Sequence, residues 1–254
     1  MTTSPRQANR IRILSYNIRH GEGMDGQIDL ARIARVIRSA APDVVALQEI
    51  DRRIRRTGYA DQAAELARLT GMQVAFGRAM RFEGEGQYGN AILSRWPIVH
   101  TETHSLPGAL ESRGVLRAQI ELPTGHNGPQ SLSLLVTHLA LDEESRLQSV
   151  HDIASIVSGS ATPALFAGDF NAKPDSAVVE ALCGTWRSTT RGQDLVTFTP
   201  TPSQIDYILY RPQTRWHVAS TEVIDERIAS DHCPILAVLD LLAPTQNQDT
   251  DRQR

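Results

Sequence analysis

Short runs of Val, Ile and Leu alternate along the chain with longer segments in which apolar residues recur every three or four positions. The short runs predict buried strands, and the longer segments predict amphipathic helices. Leu30, Ile33 and Ile37 share one face of the first predicted helix, and Pro42 follows as a stop signal. The predicted helices are 29–39, 61–70, 143–157 and 177–182. The predicted strands are 11–18, 44–47, 73–76, 90–93, 98–103, 115–122, 132–139, 164–167, 205–209, 216–223 and 234–239.

The two halves of the chain repeat a similar order of strand, helix, strand and helix, accompanied by strands that suit hairpins. No low-complexity linker separates the halves, which favours a single domain. Strands mixed with helices in this order predict two mixed β-sheets packed together, with helices on the outside.

Polar residues recur where the predicted strands end, which is where loops gather and sites form. They are Asn17, Glu49, His138, Asp169, Asn171, Asp206, Asp231 and His232. Each has an ordinary structural alternative: a loop cap for Asn17, an arginine salt bridge for Glu49, or an Asx-turn at Asp169. Eight such residues at strand ends are more informative than any one alone, and together they predict a catalytic site.

Carboxylate and amide oxygens suit a hard cation such as Mg²⁺ or Mn²⁺. Glu49, Asp169, Asn171 and Asp231 supply oxygens of this kind. The two cysteines are not in a C-x-x-C pair, and the sequence has no Cys/His cluster of the kind that binds zinc. A phosphoester hydrolase needs an activated water and charge neutralisation on the phosphoryl oxygens, which carboxylates, histidines and a metal ion supply.

The composition of the chain limits the classes of partner and the cellular location that we expect. The chain has 254 residues and a formal net charge of -3, so no global basic field attracts polyanions. It has neither an N-terminal apolar signal region nor a long apolar run, which predicts a cytoplasmic protein without a transmembrane segment, and we expect a monomer. The polar ends, 1–9 and 243–254, are predicted to be flexible.

Seven segments, in this order and spacing, resemble the endonuclease/exonuclease/phosphatase superfamily, which has the DNase I-like fold. They are SYNI, ALQE, GNAILSRWPI, THL, GDFN, IDYIL and SDHCPI, of which GDFN and SDHCP are the most specific. The resemblance runs from about residue 10 to residue 241 and implies one domain over 10–242. It implies an α/β (α+β) four-layer sandwich, with the site at one edge between the two sheets.

The resemblance also implies roles. Glu49 would be the principal ligand of Mg²⁺ or Mn²⁺, aided by Asn17 and Asp231. The catalytic residues would be His138, Asp169, Asn171, Asp206 and His232. Among them, Asp169 would activate or orient water, Asn171 would position the phosphate and His232 would bind it.

Further residues are secondary candidates. His138 and Asp206 are expected to pair near the phosphate or the leaving group, and Asn90 and Arg113 to bind substrate. The cluster Arg52, Arg53, Arg55 and Arg56 is either a solvated charge run or an anion-binding rim of the site.

Arg19 stands where DNA-repair members commonly have Asp, which disfavours a repair nuclease. The GNAILSRWPI segment instead resembles the sphingomyelinase-like and small bacterial branches.

Three functions compete. The first is a phosphodiesterase or phosphatase that uses in-line water attack on a small molecule or lipid head group. The second is a DNA or RNA nuclease, for which the arginine cluster would follow the backbone. The third is a non-enzymatic binding module, which the intact acidic and histidine positions disfavour.

Overall fold

The computed structural model describes residues 9–82, 86–125, 128–190, 192–193 and 195–243. The helices are α1 (Leu30–Ala40), α2 (Gln62–Thr70), α3 (Glu143–Ile156) and α4 (Ala177–Cys183). The first six strands are β1 (Asn9–Asn17), β2 (Val44–Arg52), β3 (Gln73–Arg81), β4 (Gln87–Ser94), β5 (Ile98–Leu106) and β6 (Arg113–Gly125). The others are β7 (Gly128–His138), β8 (Ala164–Asp169), β9 (Arg187–Ser188), β10 (Asp206–Arg211), β11 (Trp216–Val223) and β12 (Ile235–Leu241).

The strands form two six-stranded sheets, in the orders β11-β12-β1-β2-β4-β3 and β5-β6-β7-β8-β10-β9. Each sheet contains one parallel pair, β1 with β2 and β7 with β8, and the connection within each pair carries a helix, α1 or α3. The other neighbouring strands are antiparallel. Both sheets are therefore mixed, and each places the carboxyl ends of two parallel strands at one edge.

Alternation along the strands divides the core into three layers. Ile13 of β1 and Leu134 of β7 belong to the apolar layer between the sheets. Leu14, the next residue of β1, packs with α1 and α2, and Leu135 packs with α3 and α4. This arrangement confirms the predicted four-layer sandwich, and it follows from the two-residue period of strand side chains.

The predicted elements are confirmed, with differences at their ends. Several strands run further than their apolar runs, because backbone pairing continues through polar residues, as in β2 and β3. Strand β9 was not predicted, since two residues are too few to show a period. Asn9, expected in the flexible N-terminus, begins β1; the remaining predicted flexible ends, 1–8 and 244–254, lie outside the described residues, except for Ala243. Within the described part of the chain, none of the helices has the length and apolar character needed to cross a membrane.

Candidate active site

Strand alternation places the polar residues of the second sheet at the edge of the inter-sheet core. In β8, Leu165 and Ala167 face this core, so Asp169 continues the same face at the end of the strand. The register places His138 beside Asp169 on one side and Asp206 on the other. Three polar side chains from three neighbouring strands therefore lie side by side.

The first sheet contributes Glu49 to the site through a β-bulge. Asn17 pairs with Gln48 across the parallel strands β1 and β2. The next residue, Glu49, has a φ of 60°, and the pairing with β4 shifts register between Leu47 and Ile50. A bulge redirects a side chain relative to the regular pleat. Glu49 accordingly lines the pocket at the sheet edge instead of following the alternation of its strand.

Asn17 connects the two sheets. Its side chain is fully buried, and its Nδ2 donates to Glu49 Oε1 at 3.0 Å and to Asp169 Oδ2 at 3.1 Å. Its Oδ1 accepts from the Arg19 backbone N–H at 3.0 Å, which fixes the amide orientation. In this arrangement Asn17 orients two carboxylates, and its own oxygen is already engaged.

His232 is held as a cation. Its Nδ1 lies 2.8 Å from Asp206 Oδ2. Burial opposes the charge on the ring, but the carboxylates of Asp206, Asp169 and Asp231, with Asp206 contributing most, outweigh burial and raise the pKa of His232 to about 10. The ring of Phe198 lies 4.9 Å away, centroid to centroid, and covers the imidazole. Asp206 therefore pairs with His232 and not with His138, the partner expected from the family resemblance.

His138 is held in the neutral form. Its Nδ1 faces Arg113 Nη1 at 3.3 Å, and a guanidinium only donates, so Nδ1 accepts and Nε2 carries the proton. That Nε2 lies 3.4 Å from Asp169 Oδ2. Burial lowers the pKa of His138, and the nearby Arg113 acts in the same direction. The two histidines of the site thus differ in charge at neutral pH.

Asp169 lies between these groups. Its Oδ2 is 3.6 Å from His232 Nε2, and its Oδ1 accepts from the Asn171 backbone N–H at 2.9 Å. Burial raises the pKa of Asp169, although the neighbouring His138 and His232 oppose the rise. Asn171 has a φ of 49° and donates from Nδ2 to the Leu139 carbonyl at 2.9 Å. A raised carboxylate pKa suits a group that accepts a proton from water.

Glu49 is ionised. Burial favours the neutral acid, but the nearby His20, the Asn17 amide and the cationic His232 outweigh it and lower the pKa of Glu49 to about 2. The His20 contact is electrostatic, because its Nδ1 is 4.0 Å from Glu49 Oε2. Asp231 accepts from Ser230 Oγ at 3.2 Å and lies 3.8 Å from Arg19 Nε.

A pocket of about 480 Å³ opens at this edge. The predicted site residues that line it are Glu49, Arg113, His138, Asp169, Asn171, Asp231 and His232. Asn17 and Asp206 are buried and contact residues of the pocket wall. Asn90 is also buried, and its amide donates to the Gly114 carbonyl at 2.9 Å, next to Arg113. The structure therefore brings nine of the ten predicted residues directly to the site, and Asn90 to the strand that carries Arg113.

Sequence reasoning missed several residues of the pocket wall. They are Met80, Phe82, Tyr88, Glu111, Leu141, Phe198 and Ile205. Ile205 opens the IDYIL segment, whereas the other six belong to none of the seven segments, and loops or strand ends far apart in sequence bring them together. Ser230 was also missed, although it belongs to the SDHCP segment and its Oγ donates to the Asn17 carbonyl at 2.8 Å.

Two arginines of the cluster Arg52, Arg53, Arg55 and Arg56 form ion pairs with carboxylates of the chain. Arg56 lines the pocket but makes two 2.7 Å hydrogen bonds to the buried Asp51. Arg52 pairs with Asp61 at 2.9 Å. Two of the four charges are therefore already neutralised by carboxylates, which weakens the interpretation of this cluster as an anion-binding rim.

Two groups of residues suit a metal ion. Among the described residues, ligand atoms of Asp169, Asp206 and His232 lie within 4.8 Å of one another, so this buried group could hold a cation. Glu49 and Asp231 form the second candidate, at the pocket surface. The first group already contains the short His232–Asp206 hydrogen bond, which a metal ion would have to replace.

Gly168 sets the approach of β7 to β8 beside Asp169. A Cβ at this position would lie 2.0 Å from the Thr137 carbonyl oxygen. We predict that Gly168→Ala lowers the free energy of unfolding by about 1–3 kcal/mol or more, because the backbone must move apart. Chemical denaturation measures this. Gly184→Ala is the control, since Gly184 has a φ of -65° and its Cβ would come no closer than 3.2 Å to Ala181 O. Equal losses for the two variants would contradict the prediction.

The sequence from residue 14 to residue 232 matches the family model described as Endonuclease/Exonuclease/phosphatase family. The chain belongs to this family. The predicted superfamily is confirmed, and members of the endonuclease/exonuclease/phosphatase family hydrolyse phosphoester bonds and generally use a divalent metal ion.

Relatives extend this comparison. YbhP of Escherichia coli K12, an uncharacterized protein, is 31% identical over 173 residues, which cover 63% of this chain and 66% of YbhP. The match therefore spans just under two thirds of that relative. A solved family structure from Beutenbergia cavernae has a TM-score of 0.76 and 24% identity over 94% of this chain and 72% of the other. A mannosyl-6-phosphatase of Bacteroides thetaiotaomicron has a TM-score of 0.70 and 19% identity over 90% of this chain and 99% of the other.

Proposed function

We propose that the protein is a Mg²⁺- or Mn²⁺-dependent phosphoester hydrolase in which water attacks phosphorus in line with the leaving group. The proposal rests on one observation: an ionised Glu49 and a cationic His232 line the same pocket as the buried Asp169. An anion-binding cation, a proton acceptor and a metal-binding carboxylate are the parts that phosphoryl transfer to water requires.

Glu49 fits the metal better than the buried Asp169–Asp206–His232 group. It is ionised and lines the same pocket as Asp231; Asn17 holds one of its oxygens, and the other lies 4.0 Å from His20 Nδ1. Oxygen ligands few in number, with water filling the other positions, are what Mg²⁺ prefers. Asn17 enters the proposal as the residue that orients Glu49, and it would offer its own oxygen only after losing the Arg19 contact.

The residues of the chain divide the work of the reaction. His232 would bind the phosphoryl oxygens and stabilise the charge that develops on them, while Asp206 keeps it protonated. Asp169 would orient the attacking water and accept its proton, and Asn171 would position the phosphate. His138, fixed by Arg113, would hold Asp169 and lie near the leaving group. A bound divalent cation would supply charge neutralisation on the phosphoryl group.

A small phosphodiester or phosphomonoester fits this site better than a nucleic acid. The net charge is -3, and Arg52 and Arg56 are paired with Asp61 and Asp51. A polynucleotide needs free cations along its backbone outside the site. The fold neighbour from Bacteroides thetaiotaomicron, a mannosyl-6-phosphatase, is consistent with a small substrate.

The test is metal-dependent turnover of the purified protein on one parallel panel. The panel contains bis-p-nitrophenyl phosphate, p-nitrophenyl phosphate, plasmid and abasic DNA, RNA and sphingomyelin, with and without EDTA. We expect EDTA-sensitive hydrolysis, fastest on a small or lipid phosphoester. Faster turnover of DNA or RNA, with a steep salt dependence, would favour the nuclease instead.

Glu49→Gln tests the metal assignment separately. The amide keeps the shape of the side chain but removes its charge, so we expect Mg²⁺ or Mn²⁺ affinity to fall by at least about 10- to 100-fold, by analogy with altered metal sites. Calorimetric titration with the metal alone measures the affinity. Glu65→Gln, on α2 and outside the pocket, is the matched control. Unchanged affinity in Glu49→Gln would place the metal elsewhere, with the buried Asp169–Asp206–His232 group as the next candidate.

A further inference from the structure

A second pocket, of about 360 Å³, opens beside the catalytic pocket. One wall is the 108–111 loop between β5 and β6, and the other is the 140–142 segment between β7 and α3. Glu111, Arg113 and Leu141 line both pockets. The two pockets therefore adjoin at these three residues, so the second pocket is within reach of a molecule whose phosphate lies in the catalytic pocket.

The second pocket has an apolar surface. Leu110 and Leu141 line it from opposite walls, with 89% and 67% of their surface exposed. Ala109 and Ala140 add small apolar side chains beside them. Single exposed leucines are ordinary on protein surfaces, but two on facing walls of a pocket joined to a catalytic site indicate a binding surface.

Both walls are fixed in place without a ligand. A Cβ on Gly108 would lie 2.0 Å from the Glu111 carbonyl oxygen, so the loop makes a tight turn that needs glycine. On the other wall, Arg146 Nη1 donates to the carbonyls of Ala140 and Leu141 at 3.2 and 2.6 Å. A preformed pocket binds its ligand with little loss of conformational entropy.

The charges around the second pocket exclude a second phosphate. Its carboxylates are Glu111 and Asp142, and its one guanidinium, Arg113, is already 3.2 Å from Glu111 Oε2 and 3.3 Å from His138 Nδ1. A polynucleotide or polyphosphate would place further anions against the two carboxylates. An uncharged, apolar group meets no such repulsion.

We propose that this pocket, lined by Leu110 and Leu141, binds an alkyl or aryl group attached to the phosphate, so that the substrates are amphiphilic phosphoesters. The inference rests on the proposed function for the position of the phosphate, and it deepens that function by naming the substrate class. The group in the second pocket contributes binding energy through the apolar surface that it removes from water.

Alkylphosphonates test the inference independently of turnover, because their P–C bond is not hydrolysed. Calorimetry measures the Kd of methyl-, butyl- and hexylphosphonate for the Mg²⁺-loaded protein, below the concentration at which the ligands aggregate. We expect the Kd to fall roughly two- to fourfold for each added methylene until the pocket is filled. Leu110→Ser should flatten this dependence on chain length. Val99→Ser, which changes an exposed apolar side chain of β5 outside both pockets, should leave it as in the wild type.

The outcomes separate the inference from the function. Equal Kd values for methyl- and hexylphosphonate, with metal-dependent hydrolysis intact, would overturn the inference and leave the proposed function standing. Chain-length dependence that survives Leu110→Ser and also Leu141→Ser would place the alkyl group elsewhere and would equally overturn it. If Leu110→Ser instead turns a dimer into a monomer in sedimentation while Kd ignores chain length, the leucines belong to an association surface. If no phosphonate binds, both the inference and the phosphate site are wrong.

Discussion

Asp169→Asn should lower kcat on the preferred phosphoester by at least about 10²–10³-fold, the scale of losing one group that stabilises charge in a transition state. The asparagine keeps the volume of the side chain but cannot accept a proton from water. Asp169 Oδ2 also accepts from Asn17 Nδ2 at 3.1 Å and faces His138 Nε2 at 3.4 Å. An amide nitrogen in that position would meet donors, so the orientation of both neighbours would suffer together with the chemistry.

Steady-state rates at saturating Mg²⁺, with circular dichroism and thermal unfolding to confirm the fold, measure this effect. Asp175→Asn is the matched control, because Asp175 is exposed in the loop that follows Asn171 and does not line the pocket. We expect the control to keep wild-type rates. If Asp169→Asn retained activity within a few-fold of the wild type, Asp169 would not be the group that activates water.

Much of the site could be predicted because strand geometry is periodic. A carboxylate or imidazole at the end of an apolar strand must continue one of its two faces, and Asp169 follows Leu165 and Ala167 into the inter-sheet layer. Parallel strands joined through a helix then bring their ends to one edge, which explains why Asn17 and His138 converge. The four-layer fold was predictable for the same reason, since apolar periodicity distinguishes inner from outer faces.

What the sequence did not reveal depends on register and on loops. The partner of Asp206 is His232 because β10 pairs with β8 in a register that sets Asp206 opposite Asp169, beside the 230–232 segment. No local pattern encodes that register. The sequence does not indicate the bulge at Glu49 either, because the bulge arises where the pairing of β2 with β4 shifts register. Leu110 and Glu111 lie in a loop without a motif, so only the folded chain shows that they adjoin the site.

Asp206→Asn should change the pH dependence of catalysis as well as its rate. In the wild type the Asp206 carboxylate keeps His232 protonated, with a pKa of about 10. An asparagine can still accept from His232 Nδ1 but removes the charge, so only Asp169 and Asp231 still oppose burial and the pKa of His232 should fall well below that of the wild type. Above this lowered pKa the variant would hold a neutral imidazole facing the phosphate, and we expect kcat/KM to fall there by roughly 10² or more.

The profile of kcat/KM between pH 5 and 10.5 separates this explanation from a merely structural one. In the wild type the basic limb set by His232 should lie near pH 10, whereas in Asp206→Asn it should move to a clearly lower pH, with the rate recovering as the pH falls below that limb. Asp240→Asn is the control, because Asp240 lies 3.5 Å from His217 on the outer surface, away from the pocket. The same basic limb in all three proteins would show that His232 does not act as a cation.

The pH dependence of the unfolding free energy of the metal-free protein is an independent test of the raised pKa of His232. Because folding raises the pKa of His232, its protonation stabilises the native state fully below about pH 6.5, and this contribution is lost as the pH rises through about 10. In Asp206→Asn the folded pKa of His232 lies closer to the unfolded one, so this loss of unfolding free energy at alkaline pH should become smaller. The lowered pKa of Glu49 affects stability at acidic pH. Ionised Glu49 stabilises the native state above about pH 4.5, and this contribution is lost as the pH falls through about 2, in both proteins alike. The variant should therefore lose less stability than the wild type between about pH 6.5 and 10, a difference in slope that a general weakening of the fold would not produce.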